Sequence, residues 1–254
     1  MRTHTADALI LRTYRYGEAD QIVVFLTEDR GKKRGVAMNA TKSRRRFGAA
    51  LAPLTRGRVA YVEREGRELV RLDRVEPRTM PLSAADGRAA DDAAQALACA
   101  GYFAELLDEW APDSAPNERL FRLGAAVGEA LGQAASVEAL ARYFEYWLLR
   151  LEGLYPALDA CPRCGQRTLA AGAVLVVGDR SYVCEACASG GLRLSAAAVA
   201  FLREAGGRPP GQAGRPVAVA ALREIEQVHD RLLAAHLEKE LRSARVVKEL
   251  RPEL

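Results

Sequence analysis

Apolar and polar positions alternate with a period near two over the first 80 residues, and the period then lengthens to that of a helix. Residues 5–12 read as a strand, and residues 20–27 (Asp-Gln-Ile-Val-Val-Phe-Leu-Thr) as a stronger one, β-branched and aromatic. Gly31 turns the chain after that pair, and 35–38 fits a short third strand. Arg58–Glu63 and Glu68–Val75 predict a hairpin closed around Glu65-Gly66. Pro77 and Pro81 end this pattern. From Ala89 onward Leu97, Phe103, Leu106, Leu107 and Trp110 share one helical face. Leu120 to Leu131 predicts a second helix, and Val137 to Leu151 a third, capped by Ser136. After residue 190, Ser195 caps a helix through Leu202. A single long helix is expected from Val217 to about Val247, its stripe running Leu222, Ile225, Val228, Leu232, Leu233, Leu237, Leu241.

One stretch interrupts the helices. Cys161-Pro162-Arg163-Cys164 and Cys184-Glu185-Ala186-Cys187 are two Cys-x-x-Cys knuckles, each able to aim both thiolates at one point through a tight turn. Together they fit the tetrahedral sulfur cage of a closed structural zinc site, with two disulfides or four unliganded core thiols as the alternatives. The apolar runs 173–177 and 180–183, with Gly178-Asp179 between them, predict a hairpin that carries the second knuckle. The expected architecture is an α+β multidomain chain. Residues 1–80 fit a small barrel or sandwich, five strands being the number of an OB-fold barrel, and are the candidate DNA-binding domain. An α-helical domain covers 81–157 and 193–254, and 158–192 is an inserted four-cysteine zinc unit.

Charge sharpens this picture. Net charge is only +4. Residues 1–80, however, hold 18 Lys/Arg against 10 Asp/Glu, whereas residues 81–160 hold 5 against 13. Eight cations and no acid fall between residues 30 and 46: Arg30, Lys32, Lys33, Arg34, Lys42, Arg44, Arg45 and Arg46. A loop of that density can cross several phosphates and release their counterions. Lys32, Lys33, Arg34, Lys42, Arg44, Arg45 and Arg46 are the candidate DNA contacts. Tyr14, Tyr16, Phe47 and Tyr61 are candidates for stacking on bases, Phe47 equally a core anchor. The basic end of the last helix (Lys239, Arg242, Arg245, Lys248, Arg251) fits either a solvated face or DNA.

Enzymatic motifs are missing. There is no phosphate loop, no dinucleotide fingerprint and no nucleophile elbow. His4, His229 and His236 show no ligand spacing, and a closed four-cysteine site has no open position for a reactive water. The expectation is a non-enzymatic protein without a small-molecule substrate. A zinc-ribbon enzyme of nucleic-acid metabolism, using carboxylates such as Asp20 and Asp73, and a protein-binding adaptor are the competing readings. No apolar run approaches the roughly 20 residues of a membrane span. The N-terminus, with Arg2, Asp7 and Arg12 around a short apolar run, is no signal peptide. The protein is therefore expected in the cytoplasm, where thiols stay reduced and a four-cysteine site persists.

These pieces, in this order, resemble the RecO family of bacterial DNA repair and recombination mediators over nearly the whole chain. The resemblance rests on Gly17-Glu18-Ala19-Asp20 with Ile22–Thr27 and Gly31-Lys32, on Arg46-Phe47-Gly48 with Leu51-Ala52-Pro53-Leu54, and on Phe144-Glu145, Leu148–Leu151, Gly153-Leu154, Pro156, Leu158 and Cys161–Gly165. The tail 237–245 adds to it. The chain departs from the family where Met38-Asn39 follows Val36-Ala37 in place of Lys-Gly. The resemblance implies binding of single- and double-stranded DNA, annealing of complementary strands, and RecA loading together with RecR at the nucleoid. It also implies contact with the acidic C-terminal tail of single-stranded DNA-binding protein (SSB). For that tail, Arg142 on the third helix is the candidate contact, with pairing to a nearby glutamate as the alternative.

Overall fold

Five strands build the N-terminal sheet: β1 Arg2–Tyr16, β2 Asp20–Thr27, β3 Gly31–Ala37, β4 Arg56–Glu63 and β5 Val70–Thr79. Pairing runs β1-β2-β3-β5-β4 and closes on β1. Every pair is antiparallel except β3 with β5. This closed five-stranded order is OB-like. The computed structural model describes residues 1–43, 46–81, 90–166, 169–212, 217–237 and 241–250.

The period-two alternation explains how the strands fill space. Ala8, Ile10, Val23, Phe25, Val59, Tyr61 and Leu72 point inward and form one buried cluster. Phe25 meets Tyr61 edge-on at 5.5 Å between ring centres. Leu9, Leu11, Val24 and Leu26 lie on the other face and are also buried. Four consecutive residues of β1, Ala8 to Leu11, are buried because both faces of the strand are covered there, and a bulge follows between Ile10 and Arg12. Two helices do the covering: α1 Ala90–Trp110 and α2 Glu118–Leu131, both packed on β1. Leu97, expected on the buried face of α1, is 45% exposed.

Two compact units result: Met1–Gln133 with Leu241–Leu254, and Ala134–Glu240. The second contains α3 Val137–Leu151, β6 Gly172–Val176, β7 Ser181–Val183, β8 Leu192–Ser195, α4 Ala196–Gly207 and α5 Val219–Ala234. Ser136 caps α3 by accepting from the Ala139 N–H at 3.1 Å, and Ser195 caps α4 through Ala198 at 3.3 Å. The expected hairpin gains a third strand, in the order β7-β6-β8.

The long helix expected from Val217 to about Val247 is two helices. α5 ends at Ala234, and α6 spans Arg242–Glu249 after an extended Leu241. α6 packs on α1 in the first unit. One apolar stripe runs through both because each helix buries its own residues: Leu222, Ile225, Val228, Leu232 and Leu233 in α5, and Val247, next to buried Leu241, in α6.

Gly31 enters β3 with φ +68, and a Cβ there would collide with the backbone of Ala115. Gly31→Ala should therefore cost more than about 2 kcal/mol in chemical denaturation, since left-handed strain adds to a clash with backbone. Gly17→Ala, with φ +65 and open space around it, should cost only about 1 kcal/mol. Equal effects would mean that Ala115 can give way.

Candidate nucleic-acid face and cysteine tetrad

The basic stretch does not form one loop. Residues 31–37 are β3, and the strand sends its cations to different places. Lys32 is buried: its Nζ donates to the Asp108 carbonyl at 2.6 Å and lies 3.3 Å from the Asp108 carboxylate and 3.6 Å from Asp113. It is a structural cation under the end of α1, which corrects its reading as a phosphate contact. Lys33 sits at the barrel mouth, half-buried, 2.7 Å from Glu63. That pair and the nearby imidazole of His4 hold the Glu63 carboxyl below its usual range, chiefly through the Lys33 hydrogen bond. Arg34 and Lys42 are exposed. Arg46 spans its own loop, donating to the Met38 carbonyl at 2.7 Å and the Ser43 hydroxyl at 3.0 Å, and is half-exposed. Arg44 and Arg45 lie outside the described residues. Of the four aromatic candidates, Phe47 and Tyr61 belong to the buried cluster, while Tyr14 and Tyr16 are 45% and 50% exposed.

Sequence reasoning missed a second set of cations. Arg2, Arg64 and Arg67 line a cleft of about 800 Å³ together with Lys33, Arg34 and the acids Glu63, Glu65, Glu68 and Asp113. The turn joining β4 to β5 carries Arg64 and Arg67 beside β3 because β3 and β5 pair. A sequence-level signal exists in the Arg-Glu alternation of 64–68, but only barrel closure brings it next to Arg34.

The knuckles do converge. The four sulfurs of Cys161, Cys164, Cys184 and Cys187 lie within 4.8 Å of one another, and Cys164 and Cys184 are 3.7 Å apart. The edge of a tetrahedron with 2.3 Å metal–sulfur bonds is about 3.8 Å. All four are free cysteines. Gly165, at φ +70, donates to the Cys161 carbonyl and closes the first turn, and Cys187 donates to the Cys184 carbonyl in the second. The backbone N–H of Cys184, joined by those of Cys164 and Arg163, holds the Cys161 thiol down to about 6. Cys187 donates to its neighbouring sulfurs and is pushed up to about 12. Sulfurs this close cannot all ionise without a compensating cation, and the cluster could hold a metal ion. Arg163 straps the knuckles together, donating to the Cys187 carbonyl at 2.7 Å and to Asp179 in the β6–β7 turn at 2.9 Å.

Arg142 is not a surface cation. It is 2% exposed, 3.0 Å from Glu145 and 3.7 Å from Glu226, so its reading as a partner contact is corrected. Glu145 also accepts from His229 Nδ1 at 2.8 Å, and the His229 ring packs edge-on against Tyr155. The cluster ties α3 to α5.

Known proteins resemble this chain in sequence. A family model described as recombination protein O N terminal matches residues 1–80, and one described as recombination protein O C terminal matches residues 92–245. The DNA repair protein RecO of Anaeromyxobacter sp. (strain K) is 37% identical over 248 residues, covering 96% of this chain and 95% of the relative. That of Geobacter metallireducens is 34% identical over 263 residues, covering both chains in full. That of Koribacter versatilis is 45% identical over 163 residues, 63% of each chain.

Both clusters can be tested. Protein purified under reducing conditions should contain one metal equivalent per chain by elemental analysis, and Cys161→Ser with Cys187→Ser should lose it. Full retention by the double variant would place the metal elsewhere. The second test concerns pH. Burial pushes the His229 pKa below its ordinary value, outweighing Glu145 and Asp230; Arg142 adds to the lowering. The unfolded chain therefore binds the proton first, so stability is full above the ordinary histidine range and falls as pH drops through it. Unfolding free energy should decline by up to about 1.4 kcal/mol per pH unit more in the wild type than in His229→Gln between pH 7 and 5. Parallel pH profiles would rule this out.

Proposed function

The chain belongs to the RecO family of DNA repair proteins, and on that premise we propose that it is a non-enzymatic DNA-binding protein of recombinational repair. It binds single- and double-stranded DNA, anneals complementary strands, and helps load RecA onto SSB-coated DNA together with RecR. The observation that carries this reading is the OB-like barrel with exposed cations on its surface: Arg34 and Lys42, with Arg46 half-exposed beside them. Arg44 and Arg45, from the sequence, complete the set. Lys33 adds charge at the barrel mouth, and Lys32 is left out because it is spent on α1.

The mechanism needs no bond-making. Each phosphate neutralised by an arginine or lysine releases a counterion, and the gain is entropic. Two strands held this way lose much of their mutual repulsion, so complementary bases can meet. Asp20 and Asp73, the carboxylates an enzyme reading would use, are separately engaged: Asp20 accepts from the Asn39 N–H at 2.7 Å and Asp73 pairs with Arg71 at 2.9 Å. In this reading the cysteine tetrad holds a structural zinc, which orders the β6–β8 sheet and takes no part in chemistry. The acidic SSB tail remains a partner, met by a surface other than Arg142. A cytoplasmic, nucleoid-associated location accords with this role, and among the described residues no helix is long and apolar enough to cross a membrane.

The test is the salt dependence of DNA affinity. Arg34→Ala, Lys42→Ala and Arg46→Ala should each lower the log–log slope by about 0.7 on single strands and about 0.9 on duplex. Annealing of complementary strands should weaken in each variant. An unchanged slope in the triple variant would remove this surface from DNA binding.

A further inference from the structure

The outer face of the barrel is covered unevenly. Tyr14 pairs with Ile22, Ile22 with Val36, and Val36 with Arg71, so one residue from each of four strands lies in a single row. Val23, Ala37, Val70 and Leu72 point into the barrel, so this row points outward. The next row begins with Tyr16 opposite Asp20, and Met38 follows at the end of β3. Elsewhere the same face is buried at Leu9, Leu11, Val24 and Leu26. At this corner Tyr14 is 45%, Tyr16 50% and Met38 47% exposed, an apolar patch open to solvent.

Cations frame the patch. Arg34 lies one position beyond Val36 on the same face, and Arg71 is the last exposed member of the row, before the buried Val62 of β4. Arg71 is held by Asp73 in an exposed pair, which is worth little in water and yields readily to a phosphate. Lys42 and Arg46 stand at the near end, where the loop after β3 is hydrogen-bonded to the β1–β2 turn through Thr41 and Ala19. Tyr14 is also pre-set: its hydroxyl accepts from Arg12 at 3.3 Å, and Arg12 is fixed by Glu105 at 2.9 Å and Asp108 at 3.2 Å. A ring held before the ligand arrives costs less entropy on binding.

We propose that this corner seats the bases of an unpaired strand, and that it, rather than the phosphate contacts, separates single-stranded from double-stranded DNA; the inference rests on the DNA-binding reading above. Tyr14 and Tyr16 are two residues apart on one strand, hence about 7 Å, within the reach of neighbouring nucleotides. The occupant is chosen by charge. A wholly apolar partner gains nothing from Arg34, Arg71 and Lys42, whereas a single strand offers bases to the rings and phosphates to the cations. A duplex keeps its bases stacked on one another and meets only the cations.

The experiment measures anisotropy of three labelled probes of equal length: an oligothymidylate, an abasic strand and a duplex. Wild type should bind the oligothymidylate at least about fivefold more tightly than the abasic strand, since stacking on an aromatic is worth about 1 kcal/mol or more per base. Tyr14→Ala and Tyr16→Ala should each lose about that factor on oligothymidylate, stay within twofold on duplex and on the abasic strand, and keep the wild-type melting temperature. Tyr14→Phe, which keeps the ring but loses the Arg12 hydrogen bond, should lose less than Tyr14→Ala. The proposal is overturned if the alanine variants weaken all three probes alike or none of them, or if wild type does not distinguish the abasic strand. A dimer that dissociates in Tyr16→Ala would also overturn it, by assigning the patch to a second copy. A wild type that binds no probe would instead bring down the DNA-binding reading itself.

Discussion

Two cations, the buried Lys32 and the partly buried Arg12, decide which part of the barrel is surface. Both lie on the outer face of the sheet, and both end on α1: Lys32 at the Asp108 carbonyl and carboxylate, Arg12 between Glu105 and Asp108. Lys32 sits near the C-terminal end of α1, where unsatisfied carbonyls concentrate negative potential. Once charge is buried this way, removing one partner leaves the other stranded, at a cost of about 3–5 kcal/mol. The pairs therefore fix the helix to one half of the face and leave the other half uncovered. The exposed tyrosine corner exists because α1 is held where it is.

Strand pairing then sorts residues that are neighbours in sequence. Lys32, Lys33 and Arg34 are consecutive, yet one is buried under a helix, one is paired at the barrel mouth, and one is exposed. Period-two geometry explains the sorting of Lys32 from Lys33, and the length of α1 explains that of Lys32 from Arg34. In the second unit the same logic holds without strands. Arg142, Glu145, Glu226 and His229 meet because α3 and α5 pack: Arg142 sits between two carboxylates, and His229 hydrogen-bonds one of them, in a place closed to water.

Much of this is legible in the chain alone, for identifiable reasons. β2 is β-branched and aromatic, and the knuckles carry their own geometry, so both stand out as local signals. β1 reads short because its ends, from Arg2 and to Tyr16, are polar or exposed. β3 reads as a loop over Gly31–Arg34 because Gly-Lys-Lys-Arg has no strand signature; pairing with β2 and β5 makes it one. Lys32 is buried against an acid 76 residues distant in sequence, which no window of local pattern contains. Arg142 has one local partner, Glu145 three residues on, but its second, Glu226, is 84 residues distant. The split between α5 and α6 is hidden for the opposite reason, since two amphipathic helices in phase look like one.

The first unit is discontinuous: residues 241–254 complete what residues 1–133 begin. Ser243 donates through its N–H and its hydroxyl to Glu105, the same carboxylate that anchors Arg12. During synthesis the ribosome must therefore deliver the whole of the second unit before the first can be finished. Residues 134–240 can gather their cysteines and fold while the barrel still lacks its last helix. Closing so long an excursion is cheap once the intervening chain is compact, because loop entropy grows only logarithmically with length. The order of maturation is thus written into the connectivity: the part begun first at the N-terminus is the part completed last.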